Sequence, residues 1–297
     1  MPPVMPYGLM SESRNMLVFD RDLVKLHRER AAPSFGEYSF LFETVAGRLV
    51  ERLKDINRHF TKVLDLGARQ GHLGRLLGAE DITSTDLSAA IVAKAPGRHQ
   101  VADEEQLPFP DPVFDLVCSN LSLHWVNDLP GSLIQIRNAL KPDGLFLAAL
   151  FGGETLHELR QSLLQAEAKL KGSASPRISP FGDVRALGNL LQRAGFAMPV
   201  ADMDMIHVNY DNIYALMRDL RGMGESNALL DRHRKPVSRA LFESANQYYC
   251  QHFSGENGKI VASFEIIYLT GWAPGPDQPV PKRPGSATHS LKDALAR

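Results

Sequence analysis

The chain has 297 residues, 44% of them hydrophobic, and a formal net charge of −1 from 33 Lys and Arg against 34 Asp and Glu. That balance excludes a basic field for nucleic acid or an anionic membrane, and the hydrophobic content is that of a soluble globular protein. Cys118 and Cys250 stand in no metal-type spacing, no apolar run nears the roughly 18 residues of a membrane span, and residues 1–15 have neither secretory nor transit character. The expectation is a cytoplasmic enzyme or binding protein.

Residues 1–18 read as a flexible start. Phe19–Ala32 is dense in charge, with Leu23 and Leu26 to one side, the pattern of an exposed amphipathic helix. Its His27-Arg28-Glu29 is the sole H-x-D/E match and reads as solvated surface, so no bound metal is expected. Leu41, Val45, Leu49 and Leu53 repeat every four residues, a second helix with one face for a sheet.

Strand patterns follow at Lys62–Leu66, Ile82–Thr85, Arg98–Ala102, Phe114–Ser119 and Leu145–Leu150, with helices between them. Leu129–Leu140 is the clearest helix, and Lys141-Pro142-Asp143-Gly144 is a turn signal ending it. Strand–helix alternation predicts a mostly parallel sheet covered on both faces. Further helices are expected from about Glu154 to Leu170 and over Asp183–Ala194, the latter stopped by Gly195. Met203–Tyr210 and Val261–Trp272 read as two edge strands, separated by a helical segment from Asp211 to about Phe253. The fold expected is α/β and Rossmann-like, one domain over 19–272 with cap helices at about 154–180 and 211–253. Five prolines between Pro274 and Pro284 predict an extended or disordered tail over 273–297, with a short helix over Ser290–Ala296.

The chemistry centres on Val63–Gly74, where apolar residues lead into Asp65 and glycines follow at 67, 71 and 74. This is a strand, a tight turn and a helix N-terminus. Arg69 and His72 break the dinucleotide fingerprint, and the P-loop lysine is missing. What remains resembles the D-x-G-x-G-x-G motif of class I S-adenosylmethionine (SAM) methyltransferases. Asp86 follows Asp65 by 21 residues, in Ser84-Thr85-Asp86-Leu87-Ser88 at the end of the second strand. A carboxylate there can accept from both ribose hydroxyls, or can serve only as a helix cap. Asp103 and Glu104, at the exit of the third strand, match the place where the superfamily holds the adenine amino group, or form a solvated loop. Phe114-Asp115-Leu116-Val117 matches the superfamily's F-D-x-V pattern. The resemblance thus assigns Asp65, Gly67, Gly71, Asp86, Leu87, Asp103, Glu104, Asn120 and Leu121 to SAM, the cofactor expected. Arg69 stands where that family has a glycine; arginine tolerates positive φ poorly, so the turn is expected to take another shape.

Beyond Ser119 the resemblance narrows. Leu121-Ser122-Leu123-His124-Trp125-Val126-Asn127-Asp128, Phe151-Gly152-Gly153-Glu154 and Met217–Asn227 are its most distinctive runs, with Phe19-Asp20-Arg21 near the start. They resemble the mitochondrial complex I assembly factors of methyltransferase fold, a family that hydroxylates an arginine of a complex I (NADH dehydrogenase) subunit. More distantly they resemble the enzyme that methylates malonyl-acyl carrier protein in biotin synthesis. The first resemblance implies a protein substrate and a role in complex I assembly, in bacterial cytoplasm or, in a eukaryote, the mitochondrial matrix. The alternatives are a methyltransferase of a small molecule or carrier-bound acid, and a non-catalytic assembly chaperone. His124 is the candidate general base. Trp125 is a candidate pocket wall, and Glu154, Arg160, Glu225 and Asn227 are candidates to grip a substrate guanidinium or carboxylate; turn formation is the plain alternative for Glu225 and Asn227.

Overall fold

In the computed structural model of the chain, residues 17–172, 175–234 and 237–276 are described, with positions 278, 285 and 286 beyond them. Residues 1–16 of the expected flexible start, and the helix expected over Ser290–Ala296, lie outside the described residues.

Five strands, β1 (Lys62–Leu66), β2 (Asp81–Asp86), β3 (Arg98–Val101), β4 (Phe114–Asn120) and β5 (Leu140–Phe151), are parallel to one another. A last pair, β6 (Ala197–Tyr210) and β7 (Ile260–Trp272), is antiparallel, and the order is β3-β2-β1-β4-β5-β7-β6. This is a seven-stranded, mostly parallel Rossmann-like sheet. The order reverses between β1 and β4, so their carboxyl ends flank the crevice where doubly wound sheets bind ligands. Of the two strands expected at the edge, only β6 is one; β7 inserts between β5 and β6. The expected 141–144 turn falls inside β5 as an irregularity in its pairing with β4, with Asp143 at φ 61°.

Both faces are covered, as the apolar strand interiors require. On one, Leu41, Val45 and Leu49 of helix α2 (Phe40–Lys54) pack with Val63, Leu116 and Leu147. On the other, Leu133 and Ile136 of α5 (Leu129–Ala139) and Leu187 and Leu191 of α7 (Val184–Arg193) pack with Leu64, Val117 and Phe146. Each fully buried leucine contributes about 1.5–3 kcal/mol. Helices α3 (His72–Leu77) and α4 (Ala89–Val92) follow β1 and β2. The remaining helices, α6 (His157–Lys171), α8 (Ile213–Gly222) and α9 (Arg239–His252), stand at the carboxyl side; α8 and α9 lie within the β6–β7 connection, and α9 packs on α6.

Helix α1 (Arg21–Ala31) corrects the expectation of an exposed helix. Its buried face is Val24, Arg28 and Ala31, spaced i, i+4, i+7, whereas Leu26 is exposed. Arg28, read from the sequence as solvated, is 0% exposed.

Candidate active site

The turn after β1 bends through three left-handed residues, Gly67 (φ 67°), Arg69 (φ 53°) and Gly71 (φ 75°). Arg69 therefore takes the backbone conformation that its side chain disfavours, contrary to the expectation of another shape. Two carboxylates explain how it is held: its backbone N–H donates to Asp86 at 3.2 Å, and its guanidinium donates to Glu225 at 2.6 Å. A left-handed non-glycine residue costs about 1–2 kcal/mol, within what a buried ion pair held by hydrogen bonds can offset. Asp65 is fully buried and accepts from the Gly74 backbone N–H at 3.2 Å. Burial pushes its carboxyl up to about 7, the Gly74 bond pulling the other way.

Asp86 closes β2 and accepts from Ser88 N at 3.0 Å, from Arg69 N and from the Arg28 guanidinium at 3.2 Å. Glu104 accepts from Arg28 at 2.9 Å and Ser122 at 2.6 Å, and pairs with Arg21. Both carboxylates are fully buried. Burial pushes Glu104 up, but the Arg28 and Arg21 guanidiniums beside it outweigh that and hold it at about 2. Asp86 is pushed upward by burial first; the Arg28 charge opposes and the Glu104 charge adds to the rise. Asp103 is partly exposed and takes Arg21 at 2.6 Å, so this segment is an ion-paired lock rather than a solvated loop. Leu87 packs with Phe19, Val24 and Trp125, beneath α1. Asn120 ends β4 and donates to Phe42 O at 2.9 Å, and Leu121, fully buried at φ 50°, follows it.

Beside this crevice a cavity of about 210 Å³ is walled by Trp125, Phe151, Phe181, Phe242 and Phe264, with Leu159 among its aliphatic lining. Among the described residues lining it, Glu225 is the one carboxylate. Its Oε1 accepts from Arg69, and its Oε2 from the Trp125 indole N–H at 2.7 Å and from His124 Nε2 at 3.1 Å. His124 is not in the cavity lining; its ring lies against Phe151 and Phe181, and its Nδ1 is buried without a hydrogen-bond partner. Asn227 lines the cavity and also accepts from Leu229 N at 2.9 Å, a turn bond. Glu154 and Arg160 do not reach it: Glu154 is exposed, and Arg160 donates to the carbonyls of Gly153 and Thr155 at 2.9 and 3.3 Å. The structure thus brings Trp125, Glu225 and Asn227 together and leaves Glu154 and Arg160 outside. Sequence reasoning missed Arg28, Arg21, Phe151 and Phe181. Arg21, Val24 and Arg28 at i, i+3, i+7 carry the signal for the first two, once charge is allowed on an inward face.

Whether this crevice suits SAM is a test of two ends. Arg69 Nε and Nη1 and Asn120 Oδ1 are buried without hydrogen-bond partners, two donors and an acceptor that suit the carboxylate and ammonium of an amino acid. Asp86 has the chemistry for a ribose diol, but Arg28 occupies it. Gly67 is also closed over: a Cβ there would meet Ser122 Oγ at 2.0 Å. With Arg28 in place, the residues present do not fit the whole cofactor. Among the described residues no group of three or more His, Cys, Asp and Glu converges on a metal-sized site, and no helix is long and apolar enough to cross a membrane.

Residues 38–199 match the family model described as a methyltransferase domain. Over 298 residues the chain is 43% identical to the human arginine-hydroxylase NDUFAF5, mitochondrial, a match covering 97% of this chain and 86% of that protein. It is 33% identical over 270 residues to the malonyl-[acyl-carrier protein] O-methyltransferase of Xylella fastidiosa, covering 86% and 89%. Among solved structures, the YcgJ protein of Bacillus subtilis aligns with a TM-score of 0.53 at 18% identity, over 76% of this chain and 97% of that one, a likeness of fold.

Proposed function

The chain belongs to the methyltransferase-domain family, in the SAM-dependent class I superfamily, and from that premise we propose that it is an enzyme modifying an arginine of a respiratory complex I subunit during assembly. The observation that carries this reading is the aromatic-walled cavity with a single carboxylate, Glu225. A guanidinium is planar, weakly hydrated and permanently charged, so aromatic faces and one carboxylate are the partners that suit it. A carboxylate offers about four acceptor sites; Arg69, Trp125 and His124 use three and leave Oε1 with one open. His124 and Trp125 then act as positioning residues that fix the Glu225 head group, and the apolar walls exclude water. The relative named an arginine hydroxylase supports the same residue type as target. The cofactor we propose is SAM, on the chemistry of Asp86, Asn120 and Arg69, entering after Arg28 leaves. We place the enzyme in the cytoplasm of a bacterium or, in a eukaryote, in the mitochondrial matrix, its human relative being named as mitochondrial.

A second reading, methyl transfer to a carrier-bound acid, draws on Arg221. It is exposed at the cavity lining, makes no ion pair among the described residues, and could receive a carboxylate. Mass spectrometry of the complex I subunits from wild-type and deletion cells separates the readings. An arginine that loses one oxygen's mass on deletion supports hydroxylation, and loss of one methylene supports methylation. Unchanged subunits overturn the protein-substrate reading.

A further inference from the structure

An arginine with no exposed surface is costly unless its charge is matched, since removing it from water costs several kcal/mol. Arg28 meets that condition only inside the crevice, where Asp86, Glu104 and Ser122 surround it at 3.2, 2.9 and 2.9 Å. These partners come from the ends of β2 and β4 and the segment after β3, the elements that would hold a nucleoside in this fold. The helix carrying Arg28 is fastened as well by Arg21, which pairs with Asp103 at 2.6 Å and with Glu104, and its N-terminal approach is held by small polar contacts. The side chain of Asn127 accepts from the N–H groups of Val18 and Phe19, both at 2.8 Å, and donates to Phe19 O. Asp20 pairs with Arg232 at 3.1 Å, and the Phe19 ring stands edge-on to Trp125 at 5.3 Å.

We propose that helix α1 is a built-in gate: the Arg28 guanidinium holds the ribose end of the crevice shut, and the cofactor binds only when Arg28 gives up Asp86 and the helix lifts from Leu87 and Trp125. This rests on SAM being the cofactor. The exchange is chemically matched, because the diol hydroxyls replace the N–H donors that Asp86 loses. The binding-competent form is then a minor one, and the apparent Kd is the intrinsic Kd divided by the open fraction. Whatever loosens the helix raises affinity without touching the ligand.

The test is calorimetric titration of the full chain with SAM, for wild type, Arg28→Met and Asn127→Ala. Asn127 belongs to the latch alone, so its variant tests the gate even where Arg28→Met folds poorly. Both variants are expected to bind SAM about ten-fold or more tightly than wild type. In a Trp272→Phe background, which leaves Trp125 as the single indole of the two in the chain, emission should shift to the red on titration as Phe19 departs. Equal affinity in all three proteins, or weaker binding by Arg28→Met, overturns the gate and leaves SAM as cofactor. Absence of binding in all three overturns the gate and the cofactor together.

Discussion

Arg69 and Glu225, 156 positions apart in the chain, meet at 2.6 Å with side chains 1% and 3% exposed. The pair ties the glycine turn to the segment after α8 and so joins the crevice to the cavity. Removing one partner leaves the other charge buried. Glu225→Ala is therefore expected to cost about 3–5 kcal/mol by urea denaturation. Adding Arg69→Gly should return part of that loss, a coupling of at least about 1 kcal/mol in a double-mutant cycle. Additive losses would mean that the two side chains do not support each other.

Asp65 gives the pH dependence a sign. Its folded carboxyl is raised to about 7 from an ordinary 3.8, so the folded chain keeps a proton that the unfolded chain has released. Stability from this group falls as pH rises through that window and levels off above it. Asp65→Asn cannot ionise, so its stability relative to wild type should improve between pH of about 5 and about 8, by about 2–3 kcal/mol. Thermal and urea unfolding at both pH values check this; a pH-independent difference contradicts it.

Two glycines with similar backbone angles should respond differently to alanine. Gly67 (φ 67°) has Ser122 Oγ 2.0 Å from where a Cβ would sit, whereas Gly78 (φ 59°) has nothing within 4 Å. Gly78→Ala should cost only the left-handed backbone term, about 1 kcal/mol. Gly67→Ala should cost several times that, because Ser122 is fixed by Glu104 and Arg28. Comparable losses would mean that the turn yields.

The indole of Trp125 tests how firmly the Glu225 head group is held. Trp125→Phe keeps the ring packing and deletes one N–H bond to a carboxylate, a change of about 1.5–3 kcal/mol. A urea midpoint indistinguishable from wild type would show that the bond contributes nothing.

What was legible in the sequence is what apolar runs and glycines encode: the parallel strands, the turn at Gly67 and Gly71, and Asp86 at the end of β2. The cavity wall was legible at Trp125, Glu225 and Asn227 through the motifs that carry them. Arg28 was not, because a charge on a helix face reads as solvated until its partners are known, and Asp86 and Glu104 lie 58 and 76 positions away. The left-handed Arg69 was illegible for the same reason: local preference argues against it, and the carboxylate that holds it is supplied by Glu225 from the far side of the chain. Glu154 and Arg160 were drawn into the site by the resemblance, yet Arg160 braces the carbonyls of the turn before α6 and Glu154 is exposed in that turn.

The central claim is that Glu225 receives an arginine of a protein substrate. Its most direct test is mass spectrometry of the complex I subunits from a deletion strain complemented with wild type or with Glu225→Gln, at matched protein levels. The account predicts one modified arginine restored by wild type and absent with Glu225→Gln. The same arginine fully modified in the Glu225→Gln strain would contradict it.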